Sequence, residues 1–123
     1  MDIGAFSVSI AVADMATSRE FYATLGFEMV AGDGENWTIV SNGTHVIGLF
    51  RGMFEGNILT FNPGWVGVGQ PADEFVDIRK LRDEFAASGL NISDDTTSDS
   101  PSGPASFALT DPDGNAILID QHV

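Results

Sequence analysis

Asp14-Met15-Ala16-Thr17-Ser18-Arg19-Glu20-Phe21-Tyr22-Ala23-Thr24-Leu25-Gly26 decides the fold, because Asp77 to Gly89 repeats its plan. In each stretch an acidic residue able to cap a helix stands twelve positions before a glycine able to stop one. Met15, Phe21, Tyr22 and Leu25 form the apolar stripe of the first helix; Ile78, Leu81, Phe85 and Leu90 recur at helical spacing in the second. Thr17 and Glu20 have capping-box spacing, with Asp14 as an alternative N-cap one turn earlier.

Ahead of the first helix, Ala5 to Ala13 alternates strictly. Phe6, Val8, Ile10 and Val12 share one face, and Ser7, Ser9, Ala11 and Ala13 the other, which is the pattern of a strand with one face in a core. The small-residue face suits either a cavity wall or a solvent-facing side. After the helix, Phe27 to Val30 reads as a short strand, and Trp37 to Val40 and His45 to Phe50 as a hairpin around Asn42-Gly43. The order then restarts. Asn57 to Asn62 is a strand, Pro63 to Pro71 a long Gly-rich loop suited to a lid or a dimer contact, and Asp77 caps the second helix. Asn91 to Ser93 reads as a short strand and Asp94 to Pro104 as a mobile polar loop, in which Asp94, Asp95 and Asp99 are solvated. Ala105 to Thr110 leads through Asp111-Pro112-Asp113-Gly114-Asn115 into the last strand, Ala116 to Asp120.

Two copies of strand, helix, short strand and hairpin point to an internal duplication of about sixty residues. The expected class is α+β: paired βαβββ modules forming an open, curved mixed β-sheet with helices on its outer face. The whole of residues 1–123 reads as one domain, with module one at about 1–53 and module two at about 54–123.

Composition narrows the function. Five basic residues against eighteen acidic ones leave a formal net charge of −13, which repels phosphate backbones and anionic membranes and argues against nucleic acid as a partner. The acidity fits either hydration in a saline habitat or a cleft that attracts cations. The absence of Cys excludes disulfides and thiolate chemistry. No apolar run reaches membrane-spanning length and Met1-Asp2-Ile3-Gly4 opens no signal peptide, so the default expectation is the cytoplasm.

Asp14-Met15, Ser18, Phe21-Tyr22 and Leu25-Gly26-Phe27 resemble the first-helix signature of the glyoxalase/bleomycin-resistance/dioxygenase (vicinal oxygen chelate) superfamily. Asp111-Pro112-Asp113-Gly114-Asn115-Ala116-Ile117 resembles its C-terminal hairpin. The resemblance to a small single-domain member spans essentially the whole chain. It implies a cleft, a divalent metal held by His, Glu or Gln side chains, and pairing as a homodimer.

Carried over residue by residue, the implied ligand positions fall on Ser7, on Ile47 or Gly48, near Ile58, and on Leu118, and none of these is a ligand of the usual kind. His45, Asp120 and His122 are the residues from which a substitute metal site could be built. A Ser/His/Asp catalytic set from Ser7 or Ser9, His45 and Asp120 lacks a nucleophile elbow and an oxyanion loop. The reading is therefore a non-catalytic binder of a small organic ligand, aromatic or cationic, with no resident metal or cofactor. Its candidate cleft residues are Ser7, Ser9, Trp37, His45, Asn62, Trp65, Leu118 and Asp120. Trp37 and Trp65 serve equally as stacking walls or core material, and Asn62 as a ligand hydrogen-bonder or an Asx-Pro turn. The alternative is a divergent metal-dependent lyase or dioxygenase, lactoylglutathione lyase-like, with a relocated site. A structural or regulatory partner-binding module is the third possibility.

Overall fold

The alternation that opens the chain becomes strand β1 (Ala5–Ala11) in a computed structural model that describes residues 1–123. After it come α1 (Met15–Thr24), β2 (Glu28–Gly32), β3 (Trp37–Asn42), β4 (His45–Phe50), β5 (Asn57–Asn62), β6 (Trp65–Gly67), β7 (Gln70–Pro71), α2 (Ile78–Ala87), β8 (Ala105–Thr110) and β9 (Ala116–Gln121). The chain divides into two compact units. One is Ser7–Ile58; the other joins Met1–Phe6 to Leu59–Val123. The architecture is α+β, each unit setting one helix on one face of its strands.

In the N-terminal unit the strand order is β2-β3-β4-β1, with β1 parallel to β4 and the other pairs antiparallel, so its ladders are mixed. Asp14 is the N-cap of α1: its Oδ1 accepts the Thr17 N–H at 3.0 Å. The Thr17 capping box is displaced because the buried Met15 already belongs to the helix. Met15, Val40 and Leu49 form the core, with Ile10, Val12, Tyr22, Phe27 and Ile47 packed around them. Gly26 ends the helix at φ +95, a backbone conformation costly for any residue with a Cβ. Strand β2 runs on to Gly32, with a register shift between Met29 and Ala31 that the sequence does not announce.

In the C-terminal unit β9 lies between β5 and β8, and β8 pairs antiparallel with β9 from Ala105↔Gln121 to Thr110↔Ala116. Ile78, Leu81, Ala105, Phe107 and Ile119 make its core. The second module departs from the first in two places. The expected strand at Asn91–Ser93 shrinks to one bridge, Ser93↔Ala108. The expected loop from Pro63 to Pro71 instead contains a separate two-stranded ribbon, β6 with β7. The segment from Asp94 to Pro104 is also tied down. Arg82 Nε donates to Asp95 at 2.8 Å, Arg79 Nε donates to the Ser100 carbonyl at 2.8 Å, and Thr97 is buried.

Gln121 is the keystone of this unit. Fully buried, it accepts the Ile78 N–H at 2.8 Å through Oε1, and its Nε2 faces Asp77 Oδ2 and the carbonyls of Gly103 and Val123 at 3.0–3.2 Å. The first turn of α2 is thereby satisfied from β9 as well as by its own cap Asp77, which accepts the Arg79 N–H at 2.9 Å.

Candidate functional site

Strand alternation sorts the candidate residues by face. In β9, Ile117 and Ile119 turn toward α2, so Leu118 and Asp120 occupy the opposite face, and His122 follows them one step beyond the strand. In β5, Phe61 packs with the α2 core, which puts Thr60 and the buried Asn62 on the other side. Asn62, Trp65, Leu118, Asp120 and His122 therefore all belong to the C-terminal unit.

Four of them form a connected group. Asn62 Nδ2 donates to the Asp120 carbonyl at 2.9 Å, linking β5 to β9. Asp120 Oδ2 lies 2.9 Å from His122 Nε2. The His122 ring stacks on Trp65, with centroids 4.5 Å apart and an interplanar angle of 9°. Trp65 is carried there by the β6–β7 ribbon, which Ala72 N–H closes on the Gly64 carbonyl at 2.8 Å. The hydrogen bond that His122 Nε2–H donates to the Asp120 carboxylate raises the imidazole pKa above its ordinary value, against the opposing effect of partial burial, and the carboxylate charge adds to the rise. A protonated imidazole face to face with an indole also gains cation–π attraction. Asn62 satisfies a strand carbonyl here, a role different from both the ligand hydrogen bond and the Asx-Pro turn that the sequence suggests.

The N-terminal unit holds the remaining candidates. Ser7 and Ser9 are buried on the face of β1 opposite Ile10, so the first part of the small-residue side is not solvent-facing, while Ala11 and Ala13 are exposed. Trp37 pairs with Phe50 across β3 and β4, and Phe50 meets Phe54 at 5.5 Å. Gly48 makes room for that ring: a Cβ there would lie 2.6 Å from Phe50 Cε2. Trp37 is set by the turn before it, where Asp33 Oδ1 accepts the N–H groups of Glu35, Asn36 and Trp37 at 2.8–3.1 Å. Those backbone donors hold the Asp33 carboxyl at about 2. His45 begins β4, exposed, opposite Asn42 at the hairpin turn; its parity is that of Ile47 and Leu49, the side on which α1 packs.

The residues at the implied ligand positions do not fit a resident divalent metal. Ser7 is buried on β1, Ile47 and Gly48 are on β4, Ile58 is on β5 and Leu118 is on β9, so the set offers one hydroxyl and aliphatic groups. A substitute centre is not assembled either. No three His, Asp or Glu side chains gather to hold an ion. No helix is long and apolar enough to cross a membrane.

The imidazole, carboxylate and indole groups were legible as residue types, but two features were not. The stack of His122 on Trp65 joins positions far apart in the chain, and Gln121 reads as an ordinary strand-end residue. Strand parity, extended by one step from Leu118 and Asp120 to His122, is the signal that points to the first; nothing local points to the second.

Known structures share this fold. The chain superposes on an NAD-dependent benzaldehyde dehydrogenase from Legionella pneumophila with a TM-score of 0.70 at 18% identity, covering 96% of this chain and 99% of that one. Methylmalonyl-CoA epimerase from Mycobacterium tuberculosis gives 0.65 at 13% identity, over 100% and 91% of the two chains. A glyoxalase/bleomycin resistance protein/dioxygenase superfamily member from Vibrio splendidus 12B01 gives 0.62 at 15%, over 94% and 97%. At such identities the likeness concerns the fold alone. No curated protein matches the chain. The family model of the Glyoxalase/Bleomycin resistance protein/Dioxygenase superfamily, however, matches residues 4–119, and the chain belongs to that superfamily.

Proposed function

We propose that the chain is a non-catalytic binder of a small organic ligand. The observation that carries this reading is the Trp65–His122–Asp120 group: a stacked aromatic pair with a carboxylate at its edge, on the same β9 face as Leu118. Such a surface recognises flat organic molecules through stacking and one polar bond. The aliphatic Leu118 and the buried Ser7, in place of metal ligands, add support for binding over metal chemistry.

The test is a thermal-shift screen of aromatic, cationic and thiol-conjugate compounds. A ligand present at a hundred times its dissociation constant adds about 2.7 kcal/mol to stability. No stabilisation by any compound overturns the reading and favours a partner-binding module. Metal analysis of protein purified without chelators examines the superfamily's other chemistry. One equivalent of Zn, Ni, Mn or Fe, lost on changing His45, Asp120 or His122 to Ala, replaces the binder with a divergent metal-dependent lyase or dioxygenase. The same reading takes the chain to be a homodimer, which sedimentation at micromolar concentration checks.

A further inference from the structure

His122 stands one residue beyond the end of β9, outside the strand ladder, between Gln121 and Val123, whose carbonyl accepts from Gln121 Nε2, so the backbone is tethered while the side chain projects outward. Its side chain is 46% exposed, and two interactions define the ring's position: the stack on Trp65 and the bond to Asp120 Oδ2. The surroundings are firmer. Asp120 is in the strand with its carbonyl bonded by the buried Asn62, and Trp65 is fixed in its ribbon through the pairing Trp65↔Pro71. A half-exposed ring, free to turn about its own side-chain bonds, therefore occupies a well-held pair of partners, an indole face and a carboxylate.

Those partners select one chemistry. A flat ring gains the stack on Trp65; a positive charge on that ring strengthens it; an N–H at the ring edge reaches Asp120. A neutral arene keeps only the stack, and an aliphatic ammonium ion keeps only the carboxylate. The imidazolium of His122 has all three properties. We propose that His122 is an intramolecular placeholder, and that the ligand of this site is a flat, protonated nitrogen heterocycle that displaces it from Trp65 and Asp120. This inference rests on the reading of the chain as a small-molecule binder and specifies the ligand that reading leaves open. It makes binding competitive: the ligand engages the fraction of molecules in which His122 has swung away, so its apparent affinity is reduced by that fraction.

The probe is 2-aminobenzimidazole in its protonated form, with indole as the neutral ring of the same size. Calorimetric titration of the full chain should give tighter binding of 2-aminobenzimidazole to His122→Ala than to the natural sequence, by ~10-fold or more when His122 occupies the site nine-tenths of the time. Adding Asp120→Asn to His122→Ala should remove that gain. Indole should bind each variant more weakly than the cation. Equal affinity of His122→Ala and the natural chain overturns the placeholder, as does equal affinity for indole and the cation.

A measurement on the unaltered chain guards against a variant that folds poorly. With its ring stacked on Trp65, His122 should show imidazole C–H proton signals upfield of those of exposed His45, and saturating 2-aminobenzimidazole should move them downfield toward the His45 position. Binding that leaves those signals in place means that the probe sits elsewhere, and the inference fails. The outcomes also separate this inference from the one beneath it. Compounds of other classes stabilising the chain, with the His122 signals unmoved, refute the placeholder and leave the binder standing. A silent screen together with silent titrations refutes both.

Discussion

His122 couples charge to geometry at a single residue. Its pKa is raised above 6.5 by the hydrogen bond it donates to Asp120, so the ion pair contributes fully below 6.5 and its contribution is lost as pH rises through the raised value. Proton NMR should give a His122 midpoint above 6.5, returning toward the ordinary value in Asp120→Asn; an unchanged midpoint in that variant refutes the pairing. The ring is too exposed for the pair to dominate stability. Gly4 is the opposite case, a residue with no chemistry and a large structural burden. It sits at φ +90, and a Cβ there would fall on the Asn62 carbonyl. Because the obstacle is backbone, Gly4→Ala should lower stability by about 2 kcal/mol or more, read from the urea midpoint. A shift below half that value would mean that the two segments part easily.

Helix α2 shows how much of one element's stability can come from another. Gln121 reaches from β9 to the Ile78 N–H and to Asp77 at the helix start. Gln121→Ala leaves that buried amide unpaired and opens a void, so a loss of about 2–3 kcal/mol is expected in chemical denaturation. A loss under about 0.5 kcal/mol would assign α2 to its own cap alone. Both helices were legible in the sequence because their caps and stopping glycines are local signals, although Phe21, Leu25 and Leu90 of the expected apolar stripes are exposed; β1 was legible through its period of two, and β9 through the Asp111–Asn115 turn before it. The α1 start was legible only as a choice between Thr17 and Asp14, since burial of Met15 decides it. The β6–β7 ribbon was hidden because a Gly-rich run with a proline at its end reads as loop, while Trp65↔Pro71 pairing closes it. The strand expected at 91–93 failed for want of a ladder beyond Ser93. For the candidate site, facing was legible for Leu118 and Asp120 by alternation. The Trp65–His122 stack and the bond from Asn62 to the Asp120 carbonyl were not, because each joins distant positions that only the folded chain brings together.

For the whole molecule, the net charge of −13 is the dominant long-range term. The ion pairs are few, and Arg79 and Arg82 are engaged with Asp77, Asp83 and Asp95, so most carboxylates repel one another without a basic neighbour. Sodium chloride at about 1 M shortens the screening length to about 3 Å. Relief of this repulsion by about 1 kcal/mol would raise the melting temperature by about 4 °C or more over its value in dilute buffer, by calorimetry. A melting temperature insensitive to salt would show that the acidic groups are too far apart to interact. One consequence of the architecture concerns how such transitions can be watched. The two tryptophans fall one to each unit, Trp37 in Ser7–Ile58 and Trp65 in Leu59–Val123. Fluorine-labelled tryptophan would therefore place a single spectral line in each half, and one melt recorded at both lines would reveal whether the duplicated halves come apart in concert or in turn.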